Sequence, residues 1–215
     1  GAVYIENNII KFAIHEERFT RNKDFRGYPK KSINHIFQKF KINYKDLDFV
    51  VYGVTRDSKP SKDVYETIKR RITDHNNLNS KKILYHRYST EKKWNNKQIK
   101  NVIYYSKKFN FKDKLIFIEH HLSHAASAFF SSPFKKSYVF TSDGRGDFKS
   151  STSHIAKNND LKEINYHTTL DSMGYFYSNI TKALGFKEER HEGKITGLAG
   201  YGKKTNLINY FKSFI

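Results

Sequence analysis

No cysteine occurs in the 215 residues. Disulfides, thiolate nucleophiles and cysteine-based zinc sites are therefore excluded, and any metal must be held by His, Asp or Glu. Long hydrophobic runs are also missing: none approaches the roughly 20 residues of a membrane span. The opening GAVYIENNII lacks the charged-then-apolar layout of a signal peptide. These absences predict a soluble, cytoplasmic chain with no membrane partner. Acidic residues are scarce, 21 Asp+Glu against 40 Lys+Arg, for a net charge of +19. Such a balance suits nucleic acid or an anionic ligand. Yet the lysines are scattered, as in KKILYHRYSTEKKWNNKQIK, among Asn, Ile, Tyr and Phe. No zinc-finger, homeodomain or RNA-recognition signature accompanies them. Solvated helix faces are the simpler expectation, and nucleic acid is not expected as a partner.

What is present suffices for a core: 37% hydrophobic and 16% aromatic residues argue against disorder. AVYIE, the turn NN and IIKFAIHEE predict a hairpin. A polar loop, RFTRNKDFRGYP, leads to Pro29, well placed for the first turn of a helix carrying Ile33, Ile36, Phe37 and Phe40. LDFVVYGVT (47–55) reads as a strand, and 61–75 as a helix with Val64, Ile68 and Ile72 on one face. KKILYHRY reads as a short strand before a helix over 91–109, and KLIFIEHH (114–121) as a strand covered on both faces. A helix from about Ser123 to Phe130 follows. SYVFTSDG, DFKSSTSHIAK and LKEINYHTT then predict an antiparallel meander with a turn at NND. SMGYFYSNITKALGF predicts a helix closed by Gly185. Two related halves are implied, residues 1–133 and 134–215, the first without an opening strand and the second truncated.

His120 and His124 stand four apart, the spacing that stacks two imidazoles on one helix face where they can share an ion. By itself such a pair is more often structural or incidental. Asp143, ending the next strand in TSDG, changes the balance. If the strands at 114–120 and 137–143 are parallel neighbours or meet across a cleft, two imidazoles and a carboxylate converge at strand ends. That set suits a divalent metal with open positions. His121 is expected to be structural. Gly144 and Gly146 in DGRGD would let backbone N–H groups approach a phosphate, or simply make a hairpin turn. RHEGKITGLAGYGKK (190–204) is too rich in glycine for an ordinary helix interior; Gly193 and Lys194 could cradle an anion, or the segment is a connector. Arg56, after the 47–55 strand, is a further candidate for binding substrate or nucleotide.

Taken in order, HEERFTRNKDFRGYPKKSI, HHLSHAASAFF, DGRGD, SMGYFYSNITKALGF and HEGKITGLAGYG resemble the N-terminal domain of the nodulation-type and antibiotic-tailoring O-carbamoyltransferases. The likeness runs from about residue 2 to residue 202. It implies an α/β chain of the actin-like ATPase (ribonuclease H-like) type, a duplicated βββαβαβα fold present here as an incomplete fragment. It implies carbamoyl transfer to a hydroxyl of a small molecule such as a sugar, through carbamoyl adenylate made from carbamoyl phosphate and ATP by a further C-terminal domain. A divalent metal, iron first and manganese or magnesium otherwise, would be held by His120, His124 and Asp143. Lys23 would help hold the carbamoyl donor. The family's opening strand, its base-bearing segment and a later metal aspartate have no counterpart in these residues, so the chain alone is expected not to complete transfer.

Two rivals share this fold type: a threonylcarbamoyl-type tRNA modification factor, and a non-catalytic nucleotide-binding module. Modules of the second kind hold magnesium through phosphates and need no histidine pair, so HHLSH with Asp143 argues against them. A basic nucleic-acid-binding protein rests on charge alone.

Overall fold

The computed structural model describes residues 1–212 except Asp24, Arg26, Ser58 and Lys204, with only the backbone of Phe211. Asp24 and Arg26 of the predicted polar loop thus lie outside the described residues, as do positions 213–215. Among the described residues the fold is mixed α/β, with two two-stranded sheets and one three-stranded sheet.

β1 (Ala2–Glu6) and β2 (Ile9–Ile14) form the predicted antiparallel hairpin. Asn7 and Asn8 both take positive φ, 50° and 61°, which asparagine tolerates and a tight hairpin turn requires. Tyr4 and Phe12 face α2 (Lys30–Phe40), their rings 4.9 and 6.2 Å from that of Phe40. Glu16, just before the single turn α1 (Glu17–Thr20), reaches across to the start of α2. Its carboxylate accepts from the N–H groups of Lys31 and Ser32 and from Ser32 Oγ, satisfying donors that a helix N-terminus leaves free.

β3 (Val50–Tyr52) pairs in parallel with β4 (Leu115–Phe117), and the crossover between them carries α3 (Lys62–Thr73) and α4 (Leu78–Lys108). Here three expectations are corrected. Residues 81–88 are not a strand but the first turns of α4, a 31-residue helix begun by the Asn77 side chain accepting from Asn79 and Ser80 N–H. Leu84, Tyr88, Glu91, Asn95, Ile99, Val102 and Ser106 recur every three or four residues along its inner face. The strand expected over 47–55 spans only 50–52. The one expected over 114–121 spans only 115–117, and Ile116 stays exposed, so it is not covered on both faces.

α5 (His120–Phe130) begins earlier than predicted because Glu119 caps it, its side chain accepting from Leu122 N–H at 2.6 Å. β5 (Lys136–Gly146), β6 (Lys149–Lys157) and β7 (Asp160–Thr168) form the expected meander. β4 and β5 therefore belong to different sheets and are not neighbouring strands. α6 (Met173–Ala183) ends with Gly185 at φ 81°, as predicted. The glycine-rich segment contains a helix after all, α7 (Glu192–Ala199), held against α6 by Tyr177 and Ser178, which donate to Glu192. α8 (Leu207–Lys212) follows.

Two apolar clusters tie these layers together. Val64 and Ile68 of α3 meet Phe148 and Leu170, while Ala125 and Phe129 of α5 meet Val139 of β5 and Ala156 of β6. Both clusters join side chains from before and after residue 133.

Candidate metal centre

The start of α5 is fixed from two sides. Asp147, buried in the turn between β5 and β6, accepts from His120 N–H at 2.9 Å and from Thr55 N–H at 2.8 Å through the same oxygen. Its other oxygen accepts from Thr55 Oγ1 at 3.0 Å. One carboxylate thus joins the exit of β3, the β5–β6 turn and the helix that carries the histidines. Burial pushes its pKa above the ordinary value, and the hydrogen bonds from His120 and Thr55 oppose that rise. Asp147 was not singled out in the sequence. It lies within DGRGD, but only the tertiary fold shows that its partners are Thr55 and His120.

On this anchored helix His120 and His124 project toward Asp143 in the last turn-ward residues of β5. His120 Nε2 lies 2.9 Å from Asp143 Oδ2, His124 Nε2 lies 3.6 Å from the same oxygen, and the two nitrogens are 3.1 Å apart. Asp143 is steadied by Gly144 N–H, which donates to Oδ1 at 2.6 Å. Ser172, the cap of α6, donates to the Gly144 carbonyl at 2.7 Å and draws that helix's N-terminus close. A side chain at Gly174 would meet Gly144 Cα at 2.8 Å, so the approach depends on glycine there. The carboxylate therefore lies near the N-terminal ends of both α5 and α6, where partial positive charge favours an anion.

The hydrogen bond from His120 and burial act oppositely on Asp143, and the former wins, holding its pKa down to about 2. The same bond raises His120 above the ordinary histidine value. His121, by contrast, is fully buried, its Nδ1 2.8 Å from Thr141 Oγ1, and burial lowers its pKa. It is the structural histidine of the three, as expected.

The three donor atoms fit a shared divalent ion. Ligand atoms about 2.1 Å from one ion are about 3.0 Å apart at right angles and about 3.4 Å apart in a tetrahedron. The observed edges, 2.9, 3.1 and 3.6 Å, bracket both geometries. A neutral imidazole has one N–H, so the triangle cannot satisfy all three edges with hydrogen bonds. Side-chain exposures of 30%, 52% and 41% for His120, His124 and Asp143 leave room for further ligands. Among the described residues this is the one group of His, Asp and Glu with such convergence.

The remaining candidates are placed differently. The space beside Gly146 is filled by the His120 ring, whereas nothing lies within 4 Å of where a Gly144 Cβ would stand. Arg56 is exposed and lines an open cleft of about 610 Å³ with Thr55, Asp57, Lys59, Pro60 and Ser61, next to the Asp147 junction. Lys23 is exposed in the loop between α1 and α2, and no described contact brings it to the histidines. Gly193 and Lys194 lie in α7, where Lys194 Nζ is 3.2 Å from His191 Nε2, and no described contact brings them to Asp143.

The described residues thus form a mixed α/β fold with an open cluster of two histidines and one carboxylate, donor atoms that could hold a divalent ion. The chain matches the family described as carbamoyltransferase N-terminus over residues 1–213, and it belongs to that family. It is 34% identical over 215 residues to uncharacterized protein MJ1051 of Methanocaldococcus jannaschii, covering 97% of this chain and 33% of that protein. It is 32% identical to sll1178 of Synechocystis over 94% of this chain and 33% of the relative. The nodulation protein NolNO of Sinorhizobium fredii is 26% identical over 100% of this chain and 29% of its own length. The chain thus spans about a third of the length of the curated relatives it matches. No helix among the described residues is long and apolar enough to cross a membrane.

Proposed function

We propose that this chain is the acceptor-side domain of an O-carbamoyltransferase. In this reading the carbamoyl group comes from carbamoyl phosphate and ATP by way of carbamoyl adenylate and passes to a hydroxyl of a small molecule. The order of elements, hairpin, helix, strand, helices, strand, helix, then meander and helix, fits an actin-like chain. Family membership supports the reaction class, and one observation carries the site: His120, His124 and Asp143 converge as a triangle with ion-sized edges.

These three residues would hold a divalent metal, which supplies Lewis-acid polarisation of a carbonyl or phosphoryl oxygen. The protein's own contribution is placement. Asp147 fixes the helix start that carries His120, and Gly146 admits the ring. The N-termini of α5 and α6 add positive potential where negative charge grows during acyl transfer. Arg56, Gly144 and, more distantly, Lys23, Gly193 and Lys194 are the candidates for contacting substrate.

Metal analysis after equilibration with Fe(II) or Mn(II) tests this. About one equivalent is expected in the wild type, with affinity at least tenfold lower in His120→Ala and Asp143→Asn. Equal metal content in all three proteins would remove the site.

A further inference from the structure

The turn that carries Asp147 has an unusual backbone. Asp147 and Phe148 link Gly146 to Lys149 as a two-residue hairpin turn, and both take positive φ, 50° and 69°. Such turns favour Asn or Asp followed by Gly, because a side chain in the left-handed region crowds its own backbone. Asp tolerates that region. A phenylalanine there is an outlier that its surroundings must hold in place.

Phe148 is held at several points. Its ring is fully buried against Val64 and Ile68 of α3 and against Leu170. Its carbonyl accepts from Thr169 N–H at 2.9 Å, and its own N–H donates to Glu91 Oε1 at 2.7 Å. Glu91 is buried on the inner face of α4; burial pushes its pKa up, while hydrogen bonds and the Arg145 charge oppose the rise. An acid at such depth is destabilising unless its oxygens are bonded. The N–H that Glu91 takes belongs to the peptide between Asp147 and Phe148. The ring and carbonyl anchor the far side of residue 148, whereas the Glu91 bond grips the peptide shared with Asp147.

From that peptide the contacts run on to the histidines. The Asp147 carboxylate takes the N–H groups of Thr55 and His120, and the His120 ring lies 2.9 Å from Asp143. We propose that Glu91 is a positioning residue for the metal cluster: by bonding Phe148 it fixes the left-handed turn, and through Asp147 it sets where α5 begins and where His120 points. This deepens the proposed function and rests on it for the metal alone.

Amide hydrogen exchange in metal-free protein reads these contacts directly. Glu91→Met removes the acceptor at similar length, Glu91→Asp keeps the charge but shortens the reach by one methylene, and Glu91→Gln keeps an acceptor oxygen in place. In Glu91→Met and Glu91→Asp, protection of the Phe148, Thr55 and His120 amides should fall roughly tenfold or more. The Lys31 and Ser32 amides, held by Glu16 at the start of α2, should keep theirs. Glu91→Gln should stay close to wild type throughout. Mn(II) affinity of the same proteins should fall at least about tenfold in Glu91→Met and Glu91→Asp and recover in Glu91→Gln. Far-UV circular dichroism checks folding, and Glu91→Asp carries the test if Glu91→Met does not fold. A glutamate that serves overall stability alone would lower protection equally at Lys31 and Ser32. That result, unchanged protection at Thr55 and His120, or a Glu91→Gln protein no better than Glu91→Met would overturn the proposal. If the wild type bound no Mn(II), the metal reading would fail, while the exchange data would still decide the role of Glu91.

Discussion

A methyl group placed on residue 146 would stand 2.0 Å from His120 Cδ2 and 2.3 Å from Cγ. Neither partner yields easily. Gly146 is in register with Lys149 at the end of the β5–β6 ladder, and the His120 backbone is tied to Asp147. Gly146→Ala must therefore push the imidazole away from Asp143 or distort the turn. We expect a cost of about 1–3 kcal/mol in stability, as for other overpacked sites, together with loss of metal affinity comparable to His120→Ala. Thermal unfolding and metal titration of the variant check both; unchanged values in the two measurements would show that the ring has another place to go. The cluster itself was legible from the spacing of two histidines and the position of one aspartate. The reason for Gly146 was not, because a glycine required by a side chain 26 positions earlier looks, in sequence, like one required by a phosphate.

Among the elements, α2 offers the clearest electrostatic test. Burial alone would raise the pKa of Glu16, but hydrogen bonds from Ser32 and Lys31 outweigh it and hold the carboxyl below its ordinary value of 4.5. An acid lowered in this way stabilises the fold at pH above 4.5 and gives that stability up as pH falls through its folded value. Replacing Glu16 with Gln removes the charge that faces the helix N-terminus, so a loss of about 1–2 kcal/mol is expected at pH 7. The gap between wild type and Glu16→Gln should close as pH drops below 4.5. Urea titrations at pH 7 and pH 3.5 measure it, and a gap that widens in acid would contradict the capping role. Elements with apolar periodicity, such as α3 through Val64, Ile68 and Ile72, could be read directly. α4 could be read only in part: the helix over 91–109 was expected, but its first turns were not, because Ile83, Leu84 and Tyr85 together imitate a strand. α7 was hidden by its glycines, since its attachment comes from Tyr177 and Ser178 of the preceding helix.

At the scale of the whole molecule, two opposing surface properties meet. The net charge of +19 drives copies of the chain apart. Meanwhile both two-stranded sheets show apolar faces to solvent: Val3, Ile5 and Ile10 on the hairpin, and Phe49, Val51 and Ile116 on β3–β4 and its approach. Exposed sheet surface of this kind favours contact between copies. Which property wins depends on salt, because the range of the repulsion shrinks from about 30 Å at 0.01 M to about 8 Å at 0.15 M, whereas apolar attraction is not screened. The chain should be monomeric at low ionic strength and associate as salt is raised. Ile5→Lys combined with Val51→Lys, both at exposed positions, should keep it monomeric throughout at little cost to folding. Sedimentation velocity across 0.01 to 0.5 M NaCl, a span of screening lengths from about 30 Å to a few ångströms, separates the two forces. A mass that stays constant in the wild type would mean that the apolar faces are too small or too divided to hold two copies together. Association equally strong in the double variant would place the contact elsewhere on the surface.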